Sequence, residues 1–442
     1  MLTRKMKDSG IKWIGEIPED WEIRKLKYTL EERNEKNNPI VTDNILSLSV
    51  ERGIFPYTEK TGGGNKSKSD LTAYKVAHPN DIVINSMIIL AGAVGLSRYT
   101  GVVSPVYYTL YTTSEEINIT YYYYLFRTRE FQQSLLGLGN GIMMRKSSTG
   151  KLNTIRMRIP MDKLAGLFLP LPPRRVQDLI VKSLAKDIKV VNKLINQTEQ
   201  SIKELKNYKQ SLITESVTKG IDPNVEMKES GVEWIGHVPE HWLITRPNRI
   251  NTVVRGNSGF QKIDMKDTGD YVAVQYGQVY KLDMLDEMYQ LYVDGKFYKE
   301  EQVAQKGDTI LISTSETIED LGHSCFYNRT DFGLLGGEQL CLKPNKQVLF
   351  DKFLYYATTY FNLELNQYAT GLKVSRFKLD DLKKINIIVP PTIEEQQQIV
   401  EYLDDKVFTI DKLIEDKTKV IEELENYKKS LIYEYVTGKK EV

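Results

Sequence analysis

Cysteine is nearly missing from this chain, since its 442 residues include only Cys325 and Cys341. Two cysteines cannot form a disulfide framework or a four-ligand zinc site, so a reduced, cytoplasmic setting is expected. No apolar run reaches the roughly 18 residues that a membrane span needs, and no signal-peptide pattern opens the chain. We therefore expect no membrane partner.

An excess of charge of one sign is also missing. The chain has 60 Lys and Arg against 59 Asp and Glu, a net charge of +1. Any hold on nucleic acid must then come from local basic loops or from partner chains. The chain also has no N/D-P-P-Y/F string and no glycine-rich methyl-donor loop, so we do not expect it to methylate bases itself. Its 41% hydrophobic content and its length are ordinary for two or three soluble domains.

The chain does have a long amphipathic run from Arg174 to Lys219. Its apolar positions are Ile180, Leu184, Ile188, Val191, Ile195, Ile202, Leu205 and Leu212. Spacings of three and four put them on one face of a helix, about 70 Å long at 1.5 Å per residue. A narrow apolar seam of that length needs another helix against it. A second run with the same spacing follows Pro390-Pro391 and supplies that helix.

Two copies of one unit make up the chain. Residues 204–213 return as 423–432, at an offset of 219, and residues 6–21 return as 227–242, at an offset of 221. Ten of the sixteen positions in the second pair are identical, including paired Trp, Gly and Pro. Repeats of this kind settle the architecture before any other pattern does.

Between the repeated strings, each half carries a divergent segment of mixed strands and helices. Residues 76–84 match 303–311, where a turn ending in Asp leads into a β-branched run. Helices are predicted over 121–136 and 351–367, and the run Tyr121 to Tyr124 is assigned to the core rather than to base stacking.

The predicted fold class is α/β (α+β), with two similar recognition domains separated by a long antiparallel two-helix coiled coil and a pseudo-two-fold internal repeat. The predicted boundaries are 1–172 for the first motif and domain, 173–220 for the central helix, 221–389 for the second motif and domain, and 390–442 for the C-terminal helix. A stiff coiled coil between two recognition domains of different sequence suits a bipartite target, such as two DNA half-sites that lie about 34 Å apart or a multiple of that distance.

These residues resemble a known family, the specificity subunits of type I restriction–modification systems. The motifs that carry the resemblance are the Ser-Gly-x-x-Trp-Ile-Gly-x-x-Pro-Glu-x-Trp strings at 9–21 and 230–242, the Pro-Pro-x-x-x-Glu-Gln-x-x-Ile string at 390–399, and the Asn-Tyr-Lys-x-Ser-Leu-Ile strings at 207–213 and 426–432. The first helix start departs from the pattern, because it is one residue shorter and has Val176 where Glu is usual.

The resemblance implies a non-catalytic subunit that reads double-stranded DNA with two target recognition domains, one for each half-site. Its implied partners are two modification (methyltransferase) subunits and two restriction (translocase and nuclease) subunits. S-adenosylmethionine, ATP and Mg²⁺ would belong to those partners, and this chain would bind no cofactor. Two alternatives remain open at this point: a protein scaffold that does not bind DNA, and a self-contained methyltransferase or nuclease.

Loops with Arg, Lys, Asn, Gln and Ser side chains are the candidates for DNA contact, because these side chains bond to base edges and phosphates. The first domain offers Asn140, Arg145, Lys146, Ser147, Ser148 and Lys151, with Lys66 and Lys68 as weaker additions. The second domain offers Lys373, Ser375, Arg376 and Lys378, with Arg255 and Asn257 as weaker additions.

Two fragments imitate catalytic sites. Residues 237–241 fit the zinc-binding H-x-x-E-H pattern, but Pro239 would break the helix that such ligands need. Cys325 has His323 nearby, yet a nucleophile pair requires a geometry that spacing does not establish. We assign neither a catalytic nor a metal-binding role.

Overall fold

The chain forms two compact units. The structure, a computed structural model, describes residues 4–60, 70–139, 145–146, 152–153, 158–233, 235–318, 320–371 and 374–442. The first unit comprises Met1–Glu199 with Lys419–Val442, and the second comprises Gln200–Thr418. Among the described residues, no helix combines the length and hydropathy needed to cross a bilayer.

The first unit combines short strands with short helices and the first part of the central helix, Arg174–Lys219. Its strands are Met6–Asp8, Glu16–Pro18, Glu22–Lys25, Glu31–Glu32, Leu46–Ser49, Gly53–Pro56, Lys75–Ala77, Ile82–Asn85, Val94–Leu96, Gly101–Val103, Tyr107–Tyr111, Arg145–Lys146, Leu152–Asn153 and Phe168–Leu171. Its short helices are Ile119–Phe126, Arg129–Ser134 and Met161–Ala165, with 3-10 turns at Leu26–Tyr28, Tyr57–Glu59 and Ile89–Ala91.

The second unit repeats this composition beside the first part of the last helix, Ile393–Val436. Its strands are Met227–Glu229, His237–Pro239, Leu243–Thr245, Asn251–Arg255, Tyr271–Val274, Met284–Leu285, Tyr292–Val293, Val303–Ala304, Thr309–Ile312, Thr314–Ser315, Ser324–Tyr327, Gly333–Leu335, Gln339–Pro344, Ser375–Arg376 and Ile387–Val389. Its short helices are Pro247–Ile250, Tyr276–Val279, Asp351–Thr358 and Phe361–Leu365, with 3-10 turns at Lys262–Asp264, Gly295–Phe297, Glu300–Gln302, Asn366–Tyr368 and Leu379–Lys383.

The main sheets of the two units have the same strand order. In the first unit the order is Glu31–Glu32, Tyr107–Tyr111, Ile82–Asn85, Val94–Leu96, all antiparallel. In the second it is Asn251–Arg255, Gln339–Pro344, Thr309–Ile312, Ser324–Tyr327, followed by Met284–Leu285 in parallel. The repeat read from the sequence therefore extends through the divergent segments.

A buried aspartate begins the central strand of each sheet, as the matched strings predict. Asp81 accepts a bond from the His78 amide at 2.8 Å and pairs with Arg33, whereas Asp308 accepts from the Gln305 amide at 3.0 Å. The residues before these aspartates, Asn80 and Gly307, have φ of +69° and +98°, as a tight turn requires. Each carboxylate thus closes its turn and fixes where the strand starts.

The helices predicted over 121–136 and 351–367 are each divided in two. In the first unit Thr128 interrupts the run and accepts a bond from the Phe131 amide, which starts a new helix. Tyr121 and Tyr122 are fully buried, as the core assignment of the tyrosine run predicts.

The two long helices pack against each other in each unit, as the coiled-coil prediction requires. In the first unit Tyr435 donates to Asp187 at 3.0 Å and Lys428 donates to Asn192 at 3.2 Å, an antiparallel pairing. In the second unit Lys209 bonds to Asp411 at 2.8 Å. The apolar stripe faces the partner, with Ile180 and Leu184 buried beside Leu431. The fold class predicted from the sequence is confirmed.

The opening motifs pack on the ends of the long helices. In the first unit Trp21 is buried with Tyr435 and Val436, and Gly438 follows with φ of +74°. A side chain at Gly438 would come within 2.4 Å of a Pro18 carbon and 3.0 Å of the Trp21 ring. In the second unit Trp242 is buried with Val217 against Gly220 in the same way. Trp21 and Trp242 are therefore packing anchors for the two opening motifs.

A buried glutamine in the first turn of each long helix secures the domain beside it. Gln177 accepts from the Asn118 amide at 2.8 Å and donates to the carbonyls of Glu116 and Pro172. Gln396 makes the equivalent three bonds to Phe350, Val348 and Pro390, at 2.7 to 3.0 Å. Both glutamines are fully buried. The one-residue difference before the two helices therefore leaves this anchor unchanged.

The departure at Val176 changes one hydrogen bond. The residue before the second glutamine is Glu395, which accepts from Trp242 Nε1 at 2.8 Å. Val176 holds the equivalent position in the first unit, and Trp21 Nε1 is buried there without a partner among the described residues. A buried donor that loses its acceptor costs about 1–3 kcal/mol, so the two Trp docks differ in polar stabilisation.

Replacing Glu395 by Val should leave the tryptophan of the second unit, like Trp21 in the first, with a buried Nε1 donor that has no acceptor. We expect Glu395→Val to lower the free energy of unfolding by about 1–2 kcal/mol, because Trp242 Nε1 stays buried without its acceptor. Urea denaturation followed by tryptophan fluorescence measures the change. The neighbouring exposed Glu394→Val is the matched control, and equal effects of the two variants would contradict a role for the Trp–Glu bond.

Candidate nucleic-acid interface

Several of the predicted contact residues lie outside the described residues. They are Lys66, Lys68, Asn140, Ser147, Ser148, Lys151 and Lys373. Arg145–Lys146 forms a two-residue strand paired with Leu152–Asn153. The candidates whose side chains are described belong to the second unit and are Arg255, Asn257, Ser375, Arg376 and Lys378.

The loop that carries Ser375 and Arg376 is fixed to the segment that directly follows the main-sheet strand Thr309–Ile312. Ser375–Arg376 pairs with Thr314–Ser315, so that Arg376 lies opposite Thr314. The next residue, Phe377, is buried and donates its amide to the Ser313 carbonyl at 3.2 Å. Arg376 is exposed. A flexible loop would lose entropy on binding, whereas this arginine is held on a strand pair before any ligand arrives.

The loop from Arg255 to Asn257 is held by Gln302. This buried side chain accepts a bond from the Asn257 amide and donates to the Arg255 carbonyl at 3.1 Å. Between the two, Gly256 lies so close to the next loop that a Cβ would be 1.9 Å from the Gly336 oxygen. Glycine is needed here because two backbone segments touch.

The segments touching at Gly256 bring the separate candidates together. The turn of residues 336–338 joins strands Gly333–Leu335 and Gln339–Pro344, and its Glu338 accepts a bond from Thr314 Oγ1 at 2.5 Å. Glu338 also lines an open cleft of about 420 Å³ with Arg255, Asn257 and Gln302. The turn of residues 336–338 is therefore surrounded by residues that are distant in sequence: Arg255, Asn257, Thr314 and Arg376.

The first unit has an arginine in the position of Arg376, and the sequence reasoning missed it. Ile159 is buried and donates its amide to the Ser86 carbonyl at 3.0 Å, as Phe377 does to Ser313. The residue before Ile159 is Arg158, which is exposed. The proline pairs 172–173 and 390–391 are offset by 218, and this offset places Arg376 on Arg158. Aligning the loops from the proline pairs would have found it.

Arg158 also borders a cleft. This cleft measures about 600 Å³ and is lined by Glu32, Lys75, Pro105, Tyr108, Arg158, Pro160, Met161 and Asp162. Lys75 is paired with Glu32 at 2.9 Å, which neutralises one wall. Arg158 is matched in the same lining by the acidic Asp162, so the cleft has no net charge and offers an anion little general attraction.

The fragments that imitate catalytic sites have other roles. His237 lies on strand His237–Pro239, and His241 is paired with Glu395 at 3.0 Å. Burial raises the pKa of the Cys325 thiol, which keeps it protonated, and His323 Nε2 lies 2.9 Å from the Leu282 carbonyl. Within the described part of the chain, no group of three or more His, Cys, Asp or Glu side chains is placed to hold a metal.

Comparison with known proteins gives a consistent result. The family model described as "Type I restriction modification DNA specificity domain" matches residues 241–426. The putative type I restriction enzyme MjaX specificity subunit of Methanocaldococcus jannaschii is 26% identical, over 96% of this chain and 95% of that protein. The MjaVIII specificity subunit of the same organism is 25% identical, over 96% of this chain and 93% of that protein.

Two solved structures share the fold. A chain from the study "Structural basis underlying complex assembly and conformational transition of the type I R-M system" superposes with a TM-score of 0.68 at 16% identity, covering 95% of this chain and 98% of that one. The HsdS subunit of Thermoanaerobacter tengcongensis gives 0.50 at 17% identity, covering 96% and 98%. The resemblance predicted from the sequence is confirmed: residues 241–426 match the type I specificity domain, and nearly the whole chain is similar to specificity subunits of type I restriction–modification systems.

Proposed function

We propose that this specificity subunit reads a bipartite double-stranded DNA target, with one recognition domain for each half-site. One observation carries the proposal: the two units share sheet order, helix anchors and an exposed arginine, yet differ in the turn beside that arginine. The turn carries Val106 in the first unit and Glu338 in the second. Two domains that share a scaffold but differ in the turn beside the arginine suit two half-sites of different sequence.

DNA contact would be made by the strand-held arginines and the loops around them. Arg158 and Arg376 would provide equivalent contacts, with Arg255, Asn257, Ser375 and Lys378 beside Arg376. Arginine bonds to guanine in a bidentate manner and pairs with phosphate, and asparagine bonds to adenine. We propose DNA contact also for the remaining candidates predicted from the sequence: Asn140, Arg145, Lys146, Ser147, Ser148, Lys151, Lys66, Lys68 and Lys373.

The near-neutral charge supports an assembly rather than a lone DNA-binding chain. At a net charge of +1, the subunit has little general attraction for phosphate. We propose that two modification subunits and two restriction subunits join it in the cytoplasm and supply most of the electrostatic hold. Chemistry would also lie with those partners, which would bind S-adenosylmethionine, ATP and Mg²⁺, and this chain would remain non-catalytic.

The modification subunits have candidate docking residues on the long helices. Tyr208 and Tyr427 occupy the same place in the repeated Asn-Tyr-Lys string and are 57% and 52% exposed. The lysines next to them, Lys209 and Lys428, are bonded across the helix pair within their own units. A large aromatic side chain left in solvent at two equivalent places suits two copies of one partner.

The alternatives predict different behaviour. A scaffold that does not bind DNA would leave a DNA target unprotected in a footprint, and a self-contained enzyme would cut or methylate DNA without partners. The similarity to type I specificity subunits does not favour the scaffold or the self-contained enzyme. Footprinting of the complex with its modification subunits should show two protected patches around an indifferent spacer.

Exchange of one domain tests the assignment of half-sites. Replacing residues 21–160 by the matching segment of another specificity subunit should alter one half of the target and leave the other half and the spacer unchanged, because each domain is anchored separately to the helices. Mapping methylated bases in cells that carry the hybrid measures the outcome. A change in both halves would contradict one domain per half-site.

Arginine removal tests the interface. Arg376→Ala and Arg158→Ala should each weaken binding of the target by the complex about tenfold, since one charge-assisted contact to DNA contributes roughly 1–3 kcal/mol. Each variant should weaken protection over a different half-site in a footprint. The exposed Arg175→Ala is the control in the helix start, and unchanged affinity in both test variants would remove these arginines from the interface.

Tyrosine removal tests the docking of partners. Tyr208→Ala should release one of two modification subunits, and the double variant with Tyr427→Ala should release both, because a buried tyrosine anchor commonly contributes more than about 2 kcal/mol to an interface. Native mass spectrometry measures the stoichiometry. Tyr28→Ala, at a site 66% exposed, is the control. A double variant that keeps both partners would rule out these tyrosines.

A further inference from the structure

Glu338 has a backbone conformation that its side chain disfavours. Its φ is +63°, in the left-handed region, which a glycine at this position would adopt without strain. The residue before it, Gly337, is a glycine, but position 338 is not. A strained residue that is not glycine is usually retained for what its side chain does. Glu338 is also exposed, so core packing does not explain it.

The surrounding bonds hold the Glu338 carboxylate in one place. Thr314 Oγ1 donates to its Oε2 at 2.5 Å, and the Ser313 amide donates to the Glu338 carbonyl at 3.4 Å. The turn itself is tied to strand Tyr271–Val274, because the Gly336 amide donates to the Val274 carbonyl at 2.7 Å. In the described part of the chain no other hydrogen bond reaches the carboxylate, so Oε1 remains able to accept one.

The position of this carboxylate is unfavourable for general DNA affinity. Glu338 shares its cleft with Arg255, and Thr314, which holds it, lies opposite Arg376. A negative charge among these arginines repels phosphate and weakens binding to every sequence equally. The arrangement becomes favourable only where Glu338 meets a hydrogen-bond donor. On the edge of a base pair in the major groove, that donor is an exocyclic amino group.

We propose that Glu338 is a specificity-determining residue that reads cytosine through its N4 amino group in the half-site of the second domain, an inference that rests on the proposed DNA-reading function. The carboxylate Oε1 accepts the N4 hydrogen in the major groove, while Thr314 fixes Oε2. Arg255 lines the same cleft and Arg376 lies opposite Thr314, and their contacts to guanine or phosphate would set the register.

The equivalent turn of the first domain lacks this acceptor. Val106 stands between strands Gly101–Val103 and Tyr107–Tyr111, as Glu338 stands between Gly333–Leu335 and Gln339–Pro344. Ser86 Oγ donates to the Val106 carbonyl at 2.9 Å, and the Val106 side chain is 39% exposed. An apolar tip accepts no hydrogen bond from an amino group, so this position should discriminate differently in the two half-sites.

The test is selection of bound DNA from a randomised library by the full chain assembled with its modification subunits. In wild type, one position of the second half-site should be cytosine. Glu338→Gln should lower relative affinity for cytosine there about tenfold and favour adenine, since glutamine pairs with adenine N6 and N7. The first half-site should not change. The matched control is Glu226→Gln, at an exposed acid just before the opening motif of the second unit.

A second variant separates reading from folding. Glu338→Gly removes the carboxylate and suits a φ of +63°, so the complex should melt no lower than wild type while its cytosine preference disappears. A selected sequence that is the same for wild type, Glu338→Gln and Glu338→Gly overturns the role of Glu338 and leaves the proposed function intact. A wild-type complex that selects no sequence at all overturns the proposed function itself.

Discussion

The docking of a tryptophan from each opening motif on the end of a long helix is the constraint on which the other features of both units depend. Trp21 meets the helix end at Gly438, and Trp242 meets it at Gly220; both glycines have positive φ and little room for a side chain. Burial of two indole rings of this size contributes several kcal/mol. Because the ring fits only where the helix stops, the helix end fixes the strand that follows each motif.

The buried glutamines complete the constraint at the other end of each domain. Gln177 bonds to the segment before helix Ile119–Phe126, and Gln396 bonds to the segment before helix Asp351–Thr358; each also bonds to a proline that precedes its long helix. A buried amide that lost these partners would cost about 1–3 kcal/mol for each unsatisfied group, so the geometry is specified narrowly. Each recognition domain is therefore held at its first strand by the tryptophan and at its last by the glutamine.

Sequence patterns predicted this frame because the frame is where the repeat is strong. The strings around Trp21 and Trp242, the helix seams and the aspartate turns recur at nearly constant offsets, and the structure shows each pair in the same role. The division of the helix at Thr128 was not predicted, because capping by a single side chain overrode a continuous apolar pattern.

The candidate interface was predicted less well than the frame. Arg376 was identified from its charge, but its partner Arg158 was missed because loops of unequal length shifted the comparison by several residues. The pairing of Ser375–Arg376 with Thr314–Ser315 joins segments about sixty residues apart, and neither strand has a pattern longer than two residues. Such pairings follow from the tertiary fold and leave no local periodicity to detect.

The balanced charge of the chain limits its general affinity for DNA. A protein that relied on its own phosphate contacts would carry a strong basic excess, whereas this chain balances 60 cationic with 59 anionic residues. Arg33, Lys75 and Lys343 are already paired with carboxylates in their domains and add little attraction. The two recognition domains keep a small set of polar groups that are held by hydrogen bonds, and such groups suit discrimination between base pairs. An acidic residue such as Glu338 is consistent with that division, since it reduces affinity for all DNA while favouring one base over the others.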